Sequence, residues 1–583
     1  MISLTLPDQK ILEFDKGVTS LEVAQSIGSG LAKATLAGMI NGEMIDLRAP
    51  ITTSGSFEIV TDRHPRGGEV IRHSAEHVLA DAVKQIWPDA QVDVGRTDHS
   101  EKFQYDFKVE KPFTPDDLVT IENKMNEIIQ TKAVMQRRVL SREQAKELFL
   151  AAGEHLKVIR LNDIPEGEDI TVFDHGSFVD LCRGPHVQNM SQIGAIKLTE
   201  ISASYFKGDE NNEKLQRVYG IAFANKKELK AYEELQEEAK KRDHRRLGKE
   251  LGLFSVSDEI GPGLILWHPK GARIRHLIES YWKDDHLKDG YELVYSPHVA
   301  RLKLWETSGH ANFYAENMYS PIDVDEQQYQ LKPMNCPFHI QIYKDSLRSY
   351  REFPIKYAEL GTVYRYERSG VLHGMMRVRG FTQDDAHLFI TPEQMFDEIQ
   401  NVLAFVVKMF KKFDFHEYQI YLSTRPEKSV GSDENWEKAT KALEQALQAQ
   451  GLAYEVDPGE GVFYGPKIDI KIKDSIGRMW QCSTIQADFS LPERFGLEYV
   501  AQDGSKKTPI MLHRALLGSI ERFFGILVEH YAGQFPFWLA PEQVRILNIT
   551  DAHLEYAHAL KKTLDAHGYR ASVDARNEKL GFK

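Results

Sequence analysis

The segment 353–390 constrains the fold more than any other part of the chain. It reads as a strand, a long loop and a returning strand, FPIKYAELGTVYRYERSGVLHGMMRVRGFTQDDAHLFI. Because alternate side chains of a strand point to the same face, each arm presents one set of side chains to one side of a sheet. The two sets are Glu359, Gly361, Val363, Arg365 and Glu367 on the outgoing arm, and Phe381, Gln383, Asp385, His387 and Phe389 on the returning arm.

The chemistry of this face is typical of a binding floor. A half-buried sheet face usually carries Val and Ile, whereas this one carries an arginine, acids, a glutamine and a histidine beside two phenylalanines. The donor fork of Arg365 suits phosphate oxygens, and the flat ring of Phe381 suits a nucleobase. The loop adds Arg368, Arg377 and Arg379. The chain contains neither a P-loop nor a GxGxxG motif, so side chains would have to hold the phosphates.

Composition narrows the class of protein. The 583 residues are enough for several domains, and no apolar run approaches the ~20 residues of a membrane span. The first residues lack the basic and apolar regions of a signal peptide. Only three cysteines occur, which excludes a disulfide framework and favours a reducing compartment. The net charge of −13 argues against a generally basic nucleic-acid binder but allows a local one. We therefore expect a cytoplasmic multidomain protein with no membrane association.

The segments YRYE and RVRGFTQDDAH, with the loop between them, resemble motif 2 of the class II aminoacyl-tRNA synthetases. Among the members of that class, the threonyl enzymes are the most similar. The resemblance implies a multidomain α+β protein whose antiparallel catalytic sheet is flanked by helices. We expect a β-grasp TGS domain and an α+β editing domain before it, and the start of an α/β anticodon-binding domain after it. The implied ranges are 1–62 (TGS), 63–225 (editing), 226–242 (linker helix), 243–535 (catalytic) and 540–583 (partial anticodon-binding domain).

The N-terminal range has the pattern of a β-grasp unit. ISLTLPD and ILEFDKG predict a hairpin, SLEVAQSIG predicts a short helix ended at Gly28, and FEIVTD predicts a closing strand. Further along, 226–250 is rich in helix formers, with a basic end at Lys240, Lys241 and Arg242. We expect a solvated linker helix there. The alternative is a helix whose basic end contacts tRNA phosphates.

A second set of chemically active residues lies in the range 63–225. His73 and His77 are four apart on a predicted helix, hence on one face. Far downstream, DLCRGPHV supplies Asp180, Cys182 and His186. Two interpretations compete. His73, Glu76 and His77 fit the HxxEH pattern of a zinc peptidase, with Glu76 as general base. Alternatively, the pairs resemble the editing domain shared by threonyl- and alanyl-tRNA synthetases, which also accounts for Cys182 and His186.

The editing resemblance implies hydrolysis of mischarged tRNA without a metal, with His73 and Cys182 near the scissile ester. Four nitrogen and sulfur ligands would also suit zinc, and the spacing leaves that question open.

The remaining class II motifs follow in family order. The helix GARIRHLIESYWKDDHLKDG, ended by Gly290, and the segment YELVYSPHV resemble motif 1, which implies a homodimer. TPEQMFDEIQNVLAFVVKMFKKF predicts a helix capped by Thr391, and KIDIKIKD alternates like a strand. GSIERFF resembles motif 3 and places Arg522 in the first turn of a helix after Gly518.

The resemblance also implies the roles of individual residues. The metal ligands would be Cys336, His387 and His513, which hold one Zn²⁺ per subunit. ATP, with Mg²⁺, would contact Arg365, Glu367, Arg377, Phe381, Gln481, Ser519 and Arg522, and the catalytic residues would be Arg365, Arg377, Gln481 and Arg522. Threonine would contact Met334, Gln383, Asp385, Tyr464 and Gln481.

The expected reaction is that of a threonine–tRNA ligase. Threonine and ATP would form threonyl-adenylate and pyrophosphate, threonine would pass to the 3′-terminal adenosine of tRNA(Thr), and seryl-tRNA(Thr) would be hydrolysed at the second site. The alternatives are the zinc peptidase and a non-catalytic RNA-binding paralogue. Paralogues of that kind tend to lose the ATP arginines, whereas Arg365, Arg377 and Arg522 are all present here.

The C-terminal range predicts a strand (VRILNIT), a helix followed by Gly568, and a second strand (YRASVDA). Two strands and one helix are too few to bury a core of their own. We therefore expect normal threonine activation and weak tRNA recognition, with 540–583 the first part lost to proteolysis.

Overall fold

The computed structural model describes all 583 residues. The chain divides into two compact units, Met1–Leu235 and Gln236–Lys583, which we describe separately. No helix in the structure combines the length and the apolar character that a membrane crossing requires.

The first unit contains fourteen strands, six complete helices and the start of a seventh. Its strands are β1 (Ile2–Thr5), β2 (Ile11–Phe14), β3 (Val18–Thr19), β4 (Thr35–Ile40), β5 (Glu43–Asp46), β6 (Pro50–Ile51), β7 (Gly55–Thr61), β8 (Gln91–Gly95), β9 (Phe103–Lys108), β10 (Gln136–Leu140), β11 (Ile170–His175), β12 (Phe178–Leu181), β13 (Ala195–Tyr205) and β14 (Lys214–Phe223). Its helices are α1 (Ser20–Ile27), α2 (Ser29–Ala34), α3 (Gly67–Ile86), α4 (Pro115–Gln130), α5 (Arg142–Ala151), α6 (His155–Leu161) and the start of α7 (Lys226–Arg242).

The first 61 residues form a five-stranded sheet in the order β2-β1-β7-β4-β5. The predicted hairpin is the antiparallel pair β1–β2, and the predicted closing strand is β7. A capping box between Thr19 and Glu22 starts α1, which ends at Gly28 as predicted. The hairpin, the helix and the closing strand are therefore confirmed.

The rest of the first unit is built around α3. This helix packs its apolar side chains, including Val70, Ala75 and Leu79, into a core shared with α4 and the sheet β13-β14-β9-β8. A three-stranded sheet, β10-β11-β12, covers a smaller core beside α5. The chain leaves β12 at Leu181 and immediately enters the segment that carries Cys182 and His186.

The second unit contains eighteen strands and ten helices of its own. Its strands are β15 (Phe254–Val256), β16 (Ile265–Trp267), β17 (Glu292–Leu293), β18 (Val299–Arg301), β19 (Ile322–Val324), β20 (Gln327–Leu331), β21 (Arg348–Ser349), β22 (Ile355–Tyr364), β23 (Gly380–Ile390), β24 (Tyr418–Ser423), β25 (Glu455–Asp457), β26 (Lys467–Lys473), β27 (Met479–Asp488), β28 (Tyr499–Val500), β29 (Lys506–Lys507), β30 (Ile510–Ser519), β31 (Val544–Leu547) and β32 (Ala571–Asp574). Its helices are α8 (His244–Glu250), α9 (Pro269–Lys288), α10 (Leu302–Ser308), α11 (His310–Phe313), α12 (Cys336–Lys344), α13 (Met395–Lys412), α14 (Asp433–Ala449), α15 (Ser490–Arg494), α16 (Ile520–His530) and α17 (Leu554–Ala566).

An eight-stranded sheet in the order β17-β22-β23-β30-β27-β26-β24-β25 forms the centre of this unit. Its six inner strands pair antiparallel, which confirms the predicted antiparallel catalytic sheet, and the edge strands β17 and β25 pair parallel with their neighbours. Helices α9, α13, α14 and α16 cover one face, where Ile468, Ile470 and Ile472 of β26 are buried with them.

The predicted strand–loop–strand at 353–390 is the antiparallel pair β22–β23. In its register Glu359 faces Asp385, Gly361 faces Gln383 and Val363 faces Phe381, so the predicted face is correct. The strand β22 ends at Tyr364, and Arg365 and Glu367 therefore lie in the loop. Phe389 belongs to an apolar core with Tyr343 and Met511, so the expectation that it edges the binding floor is wrong.

The range 226–242 given for the linker helix is the range of α7 (Lys226–Arg242). The rest of the helix-rich stretch 226–250 is a separate helix, α8, capped by Asp243, whose side chain accepts from the backbone N–H of Arg245. One predicted strand has different bounds. The strand expected from YELVYSPHV is reduced to Glu292–Leu293, since only these residues pair with β22. A 3₁₀ turn capped by Thr391 precedes α13. The predicted C-terminal strand, helix and strand are β31, α17 and β32.

A buried carboxylate fixes a bulge at the centre of the sheet. Between β23 and β30, Gln383 faces Ser519 and Asp385 faces Ala515, so residues 516–518 stand out of the ladder. The Asp384 carboxylate accepts the backbone N–H groups of these three residues, each at 2.8 Å. The bulge ends at Gly518, whose φ of +83° suits glycine, and Ser519 then caps α16. Asp384 thereby sets where α16 begins.

We expect Asp384→Ala to lower the free energy of unfolding of the second unit by about 3 kcal/mol, because buried N–H groups lose their acceptor. Denaturant titration followed by tryptophan fluorescence measures this, and Asp323→Ala, an exposed position on β19, is the control. Equal stability of the two variants would contradict the assigned role of Asp384.

Candidate functional site

A cleft of about 770 Å³ lies over the predicted face of β22 and β23. Every residue predicted for ATP, threonine or metal lines this one cleft: Met334, Cys336, Arg365, Glu367, Arg377, Phe381, Gln383, Asp385, His387, Tyr464, Gln481, His513, Ser519 and Arg522. Strands of the sheet supply half of them, and the others come from the 365–379 loop, α12, α16 and the turns that hold Met334 and Tyr464.

Cys336, His387 and His513 meet at the floor of the cleft. One ligand atom of each lies within 4.8 Å of the others, and all three residues are buried. The pairing of β23 with β30 sets His387 directly opposite His513, and Cys336 is the first residue of α12. Three separated segments therefore deliver a thiol and two imidazoles to one point.

One ring nitrogen of each histidine, which we call its outer nitrogen, contacts a buried side chain: Nδ1 in His387 and Nε2 in His513. His387 Nδ1 lies 2.8 Å from His339 Nδ1, and His339 Nε2 lies 3.0 Å from the Glu359 carboxylate. His513 Nε2 lies 2.8 Å from Asp488 Oδ2. Because these contacts use one nitrogen of each ring, His387 Nε2 and His513 Nδ1 remain for a ligand inside the cleft. Such supporting contacts are typical of metal-binding histidines.

Electrostatics supports a cation at this point. Burial raises the pKa of the Cys336 thiol well above its ordinary value, and the nearby carboxylates of Asp385 and Asp488 raise it further. Burial also lowers the pKa of His387 well below its ordinary value, helped by His339 and His513. A buried thiolate beside two neutral imidazoles is stabilised by a divalent cation. One sulfur and two nitrogen donors suit Zn²⁺ and leave a position open, so the residues fit this metal.

Polar side chains beside the three ligands can form hydrogen bonds with a small amino acid. Asp385 Oδ1 is 3.7 Å from His387 Nε2, and its other oxygen accepts from Asn335 Nδ2 at 3.1 Å. Burial raises the Asp385 pKa, which the nearby His339 and the hydrogen bond from Asn335 oppose. The Tyr464 hydroxyl donates to Gln486 at 2.7 Å. Fixed acceptors in a buried pocket reject analogues that leave them unpaired.

Arginines line the other end of the cleft. The Arg365 guanidinium lies 5.1 Å from the centre of the Phe381 ring. Arg377 Nε contacts Glu367 Oε2 at 3.0 Å, and the Arg377 side chain is 56% exposed. Arg522 lies in the first turn of α16, where its backbone N–H donates to Ser519 Oγ at 3.0 Å, and its buried Nε has no partner. An unpaired donor at a helix N-terminus is suited to a phosphate.

Gln481, which the family resemblance assigned to both ATP and threonine, lies on β27 and lines the cleft. Its Nε2 donates to Asp469 Oδ1 at 2.7 Å, which fixes the amide orientation.

A second cluster lies in the first unit. His73, His77, Cys182 and His186 bring one ligand atom each within 4.8 Å of the others. Cys182 Sγ is 3.2 Å from both His73 Nε2 and His186 Nε2. Asp180 lies behind them, with Oδ2 at 4.0 Å from His77 Nε2. All five residues predicted for editing are therefore brought together, and the cavity beside them is about 310 Å³.

Burial determines the charges in this cluster. It lowers the pKa of His73 to about 4 and raises the pKa of the Cys182 thiol to about 12. It also lowers the pKa values of His77 and His186 well below their ordinary value. At neutral pH the cluster therefore holds neutral imidazoles and a neutral thiol. The His73 Nδ1 contact with the Pro185 carbonyl oxygen, at 3.1 Å, requires the proton on Nδ1 and leaves Nε2 unprotonated.

Glu76 is placed differently from a peptidase base. Its Oε1 accepts the backbone N–H groups of Arg96 at 2.9 Å and Gln104 at 3.1 Å. Its Oε2 lies 3.0 Å from His99 Nε2. Burial raises the Glu76 pKa to about 8. With one oxygen bonded to two backbone N–H groups and the other beside His99, this carboxyl supports the fold around the histidines.

Sequence reasoning missed several residues that hold these sites. In the cleft they are His339, Asp488 and Asp384. In the second cluster they are Lys157, which forms a 2.5 Å ion pair with Asp180, and Tyr105, which donates a hydrogen bond to the same carboxylate. His339 follows Cys336 by one helical turn, a spacing that could have signalled it. Nothing local in the sequence marks the others.

Comparison with known proteins identifies the family. The TGS domain matches residues 2–61, the second additional domain of threonyl and alanyl tRNA synthetases matches 170–219, and the class II core domain (G, H, P, S and T) matches 319–531. The chain is 53% identical to the threonine–tRNA ligase of Magnetococcus marinus over 584 residues and 54% identical to that of Nitrosococcus oceani over 580. Each alignment spans all of this chain and 90% of the relative. The chain belongs to the threonine–tRNA ligase family.

Structure comparison agrees with this family. The RNA-binding domain of threonyl-tRNA synthetase from Cryptosporidium parvum superposes with a TM-score of 0.57 at 40% identity, over 58% of this chain and 85% of that one. Membership confirms the predicted class II ligase with its TGS and editing domains. It also excludes the zinc peptidase, since the second additional domain covers Cys182 and His186. The partial anticodon-binding domain stays a prediction.

Proposed function

We propose that this chain activates threonine with ATP in the cleft of its second unit, transfers it to tRNA(Thr), and hydrolyses seryl-tRNA(Thr) at the histidine cluster of its first unit. The observation that carries this is the meeting of Cys336, His387 and His513 beside Asp385, within one cleft that also holds the arginines. Threonine activation and amino-acid recognition require both halves of that cleft.

Cys336, His387 and His513 would hold Zn²⁺, which would supply a Lewis acid able to bind the amine and the hydroxyl of threonine. Asp385 would accept the hydrogen of that hydroxyl. Met334, Gln383, Tyr464 and Gln481 would shape the rest of the pocket. A pocket that pairs with a hydroxyl rejects isosteric valine by roughly 10⁴-fold or more.

In the first step an oxygen of the threonine carboxylate attacks the α-phosphorus of ATP, and the bond to the β-phosphate oxygen breaks to release pyrophosphate. Arg365 would neutralise the α-phosphate, while Arg377 and Arg522 would hold the γ-phosphate together with Mg²⁺. Glu367 would accept from the adenine amine and Phe381 would stack on the base, with Gln481 and Ser519 completing the site. Positioning and charge stabilisation can supply such phosphoryl chemistry without a protein nucleophile.

In the second step the 3′-terminal hydroxyl of tRNA attacks the threonyl carbonyl, and AMP leaves. Serine also carries the hydroxyl and lacks only a methyl group, which is worth roughly 10- to 200-fold in discrimination. The editing cluster supports a second selection. The unprotonated His73 Nε2 can take a proton from an attacking water, which adds to the seryl ester carbonyl while the ribose oxygen leaves.

Two further parts of the proposal concern assembly and location. The chain would work as a homodimer through the motif 1 region, where Tyr295 is 74% exposed, together with β19, where Ile322 is 46% and Val324 45% exposed. It would work in the cytoplasm, which suits its three free thiols, and recovery from a membrane or extracellular fraction would contradict this.

The first prediction of this proposal concerns the metal. Cys336→Ser should reduce bound zinc from about one ion per subunit towards none and abolish threonine-dependent ATP–pyrophosphate exchange, because one of three ligands is lost. Metal analysis by mass spectrometry measures the zinc. Cys482→Ser is the matched control, since Cys482 is a buried thiol in the same cleft outside the ligand cluster. Unchanged zinc content in Cys336→Ser would overturn the assignment.

The second prediction separates the two sites. His73→Ala combined with His77→Ala should leave threonine activation within about twofold and let seryl-tRNA(Thr) accumulate, because only the hydrolytic cluster is altered. Deacylation of preformed seryl-tRNA measures this, with the exposed His155→Ala as control. If the double variant still hydrolyses seryl-tRNA at the parental rate, editing takes place elsewhere.

The third prediction concerns assembly. Sedimentation velocity at micromolar concentration should give about twice the chain mass of 66.7 kDa, since exposed apolar patches of this kind mark association surfaces. Tyr295→Lys should shift the distribution towards the single chain. A parental protein that sediments as a monomer would contradict the homodimer.

A further inference from the structure

One buried imidazole outside the residues assigned above connects three parts of the second unit. His244, the first residue of α8, is fully buried. It lies between the loop that joins β22 to β23 and the C-terminal end of α16. Both of those elements carry an arginine proposed for the ATP phosphates, Arg377 in the loop and Arg522 on the helix.

The hydrogen bonds of His244 fix its tautomer. The backbone N–H of Met375 donates to His244 Nε2 at 3.0 Å. Since a backbone N–H can only donate, Nε2 carries no proton, and the single ring proton lies on Nδ1. His244 Nδ1 then donates to Glu529 Oε1 at 2.7 Å, and the backbone N–H of His244 donates to the same oxygen at 3.1 Å.

The partner loop is a tight hairpin at this point. His373 and Arg377 exchange backbone hydrogen bonds of 3.1 and 3.3 Å, which puts Gly374, Met375 and Met376 at the tip. Gly374 has a φ of +49°, and a Cβ there would lie 2.1 Å from His244 Nε2. The tip is therefore seated against the imidazole with no room for a side chain, and Met375 is fully buried.

The contact of His244 with α16 is also buried. Glu529 is 3% exposed and lies in the last turn of α16, and its second oxygen is 2.5 Å from Arg478 Nη2. The first turn of the same helix holds Arg522. His244 thus ties the hairpin that ends at Arg377 to the helix that begins beside Arg522.

A cation site is a weaker explanation for this cluster, although Asp243, His244 and Glu529 lie within reach of one ion. The Asp243 carboxylate accepts from the Arg245 backbone at 2.8 Å and from its guanidinium at 2.5 Å. Both ring nitrogens of His244 are used within the protein, so no donor set remains for a metal.

We propose that His244 is a positioning residue for ATP: its Nε2 seats the 373–377 hairpin so that Arg377 is held at the phosphate end of the cleft. This rests on the proposed function for the role of Arg377. Exchange of the Met375 amide hydrogen reports the seating itself and is independent of that function.

Two substitutions test the hydrogen bonds of His244 Nδ1 and His244 Nε2 separately. In His244→Asn the amide nitrogen reaches the position of Nδ1 and keeps the bond to Glu529, while the acceptor for Met375 is lost. In His244→Gln the amide oxygen reaches the position of Nε2 and keeps that acceptor. The exposed His416→Asn is the control for a histidine-to-amide change.

We expect His244→Asn to raise the KM for ATP in threonine-dependent pyrophosphate exchange about 5- to 10-fold, in line with the loss of one buried hydrogen bond. The KM for threonine should stay within about twofold, and the Met375 amide should exchange faster by mass spectrometry. His244→Gln should keep the parental KM for ATP and the slow exchange. Gly374→Ala, which forces a Cβ against His244, should behave like His244→Asn.

Equal effects of His244→Asn and His244→Gln on the KM for ATP would overturn the proposal, as would an unchanged KM for ATP in both His244→Asn and Gly374→Ala. A general loss of stability would lower kcat without separating the two substrates. A parental enzyme with no threonine-dependent exchange would refute the proposed function, whereas Met375 amide exchange equal in His244→Asn and His244→Gln would refute the seating alone.

Discussion

The pairing of β23 with β30 is the constraint on which the catalytic unit depends. Their register sets His387 opposite His513, so the two imidazoles reach one point without support from any flexible segment. The same pairing is interrupted opposite Asp384, whose carboxylate satisfies the three backbone N–H groups that the bulge releases. A strand in perfect register would continue past Gly518, and α16 with its Arg522 would begin elsewhere. The pair His387 and His513 and the helix that carries Arg522 are thus positioned by one strand pairing and its single irregularity.

The alternation of side chains along the returning arm of 353–390 was enough to place Phe381, Gln383, Asp385 and His387 in the cleft. It holds because a strand buried on one face has no freedom to slip by one residue. The two other ligand segments, which carry His513 and Cys336, were beyond this reasoning. His513 meets His387 only through a pairing between distant strands, and Cys336 arrives on a helix, so only the family resemblance grouped the three. The start of α8 after Asp243 could have been read from the sequence, because Asp is a strong N-cap.

The supporting residues were the least predictable part of the site. His339 and Asp488 matter because they occupy the outer nitrogens of His387 and His513, and that depends on side-chain directions in a finished core. The same holds for Lys157 and Tyr105, which hold Asp180 in the first unit. A sequence pattern specifies which face a residue occupies, whereas the partner across a core is decided by packing between elements far apart in the chain.

The two clusters contain similar residue types and differ in what their atoms are left to do. In the cleft, the outer nitrogens of His387 and His513 are held by other side chains, so their inner nitrogens point at Cys336 and form a ligand set. In the first unit, Cys182 Sγ already contacts His73 and His186 at 3.2 Å, and burial keeps all three groups neutral. The first arrangement leaves donor atoms free for a cation, whereas the second is a set of neutral groups already in contact with one another. The ligand set proposed for the cleft needs inner nitrogens that are free to bind a metal, whereas the base proposed for the first unit needs an unprotonated nitrogen that no metal occupies. The two proposed roles therefore call for different surroundings, and the chain carries them in separate units.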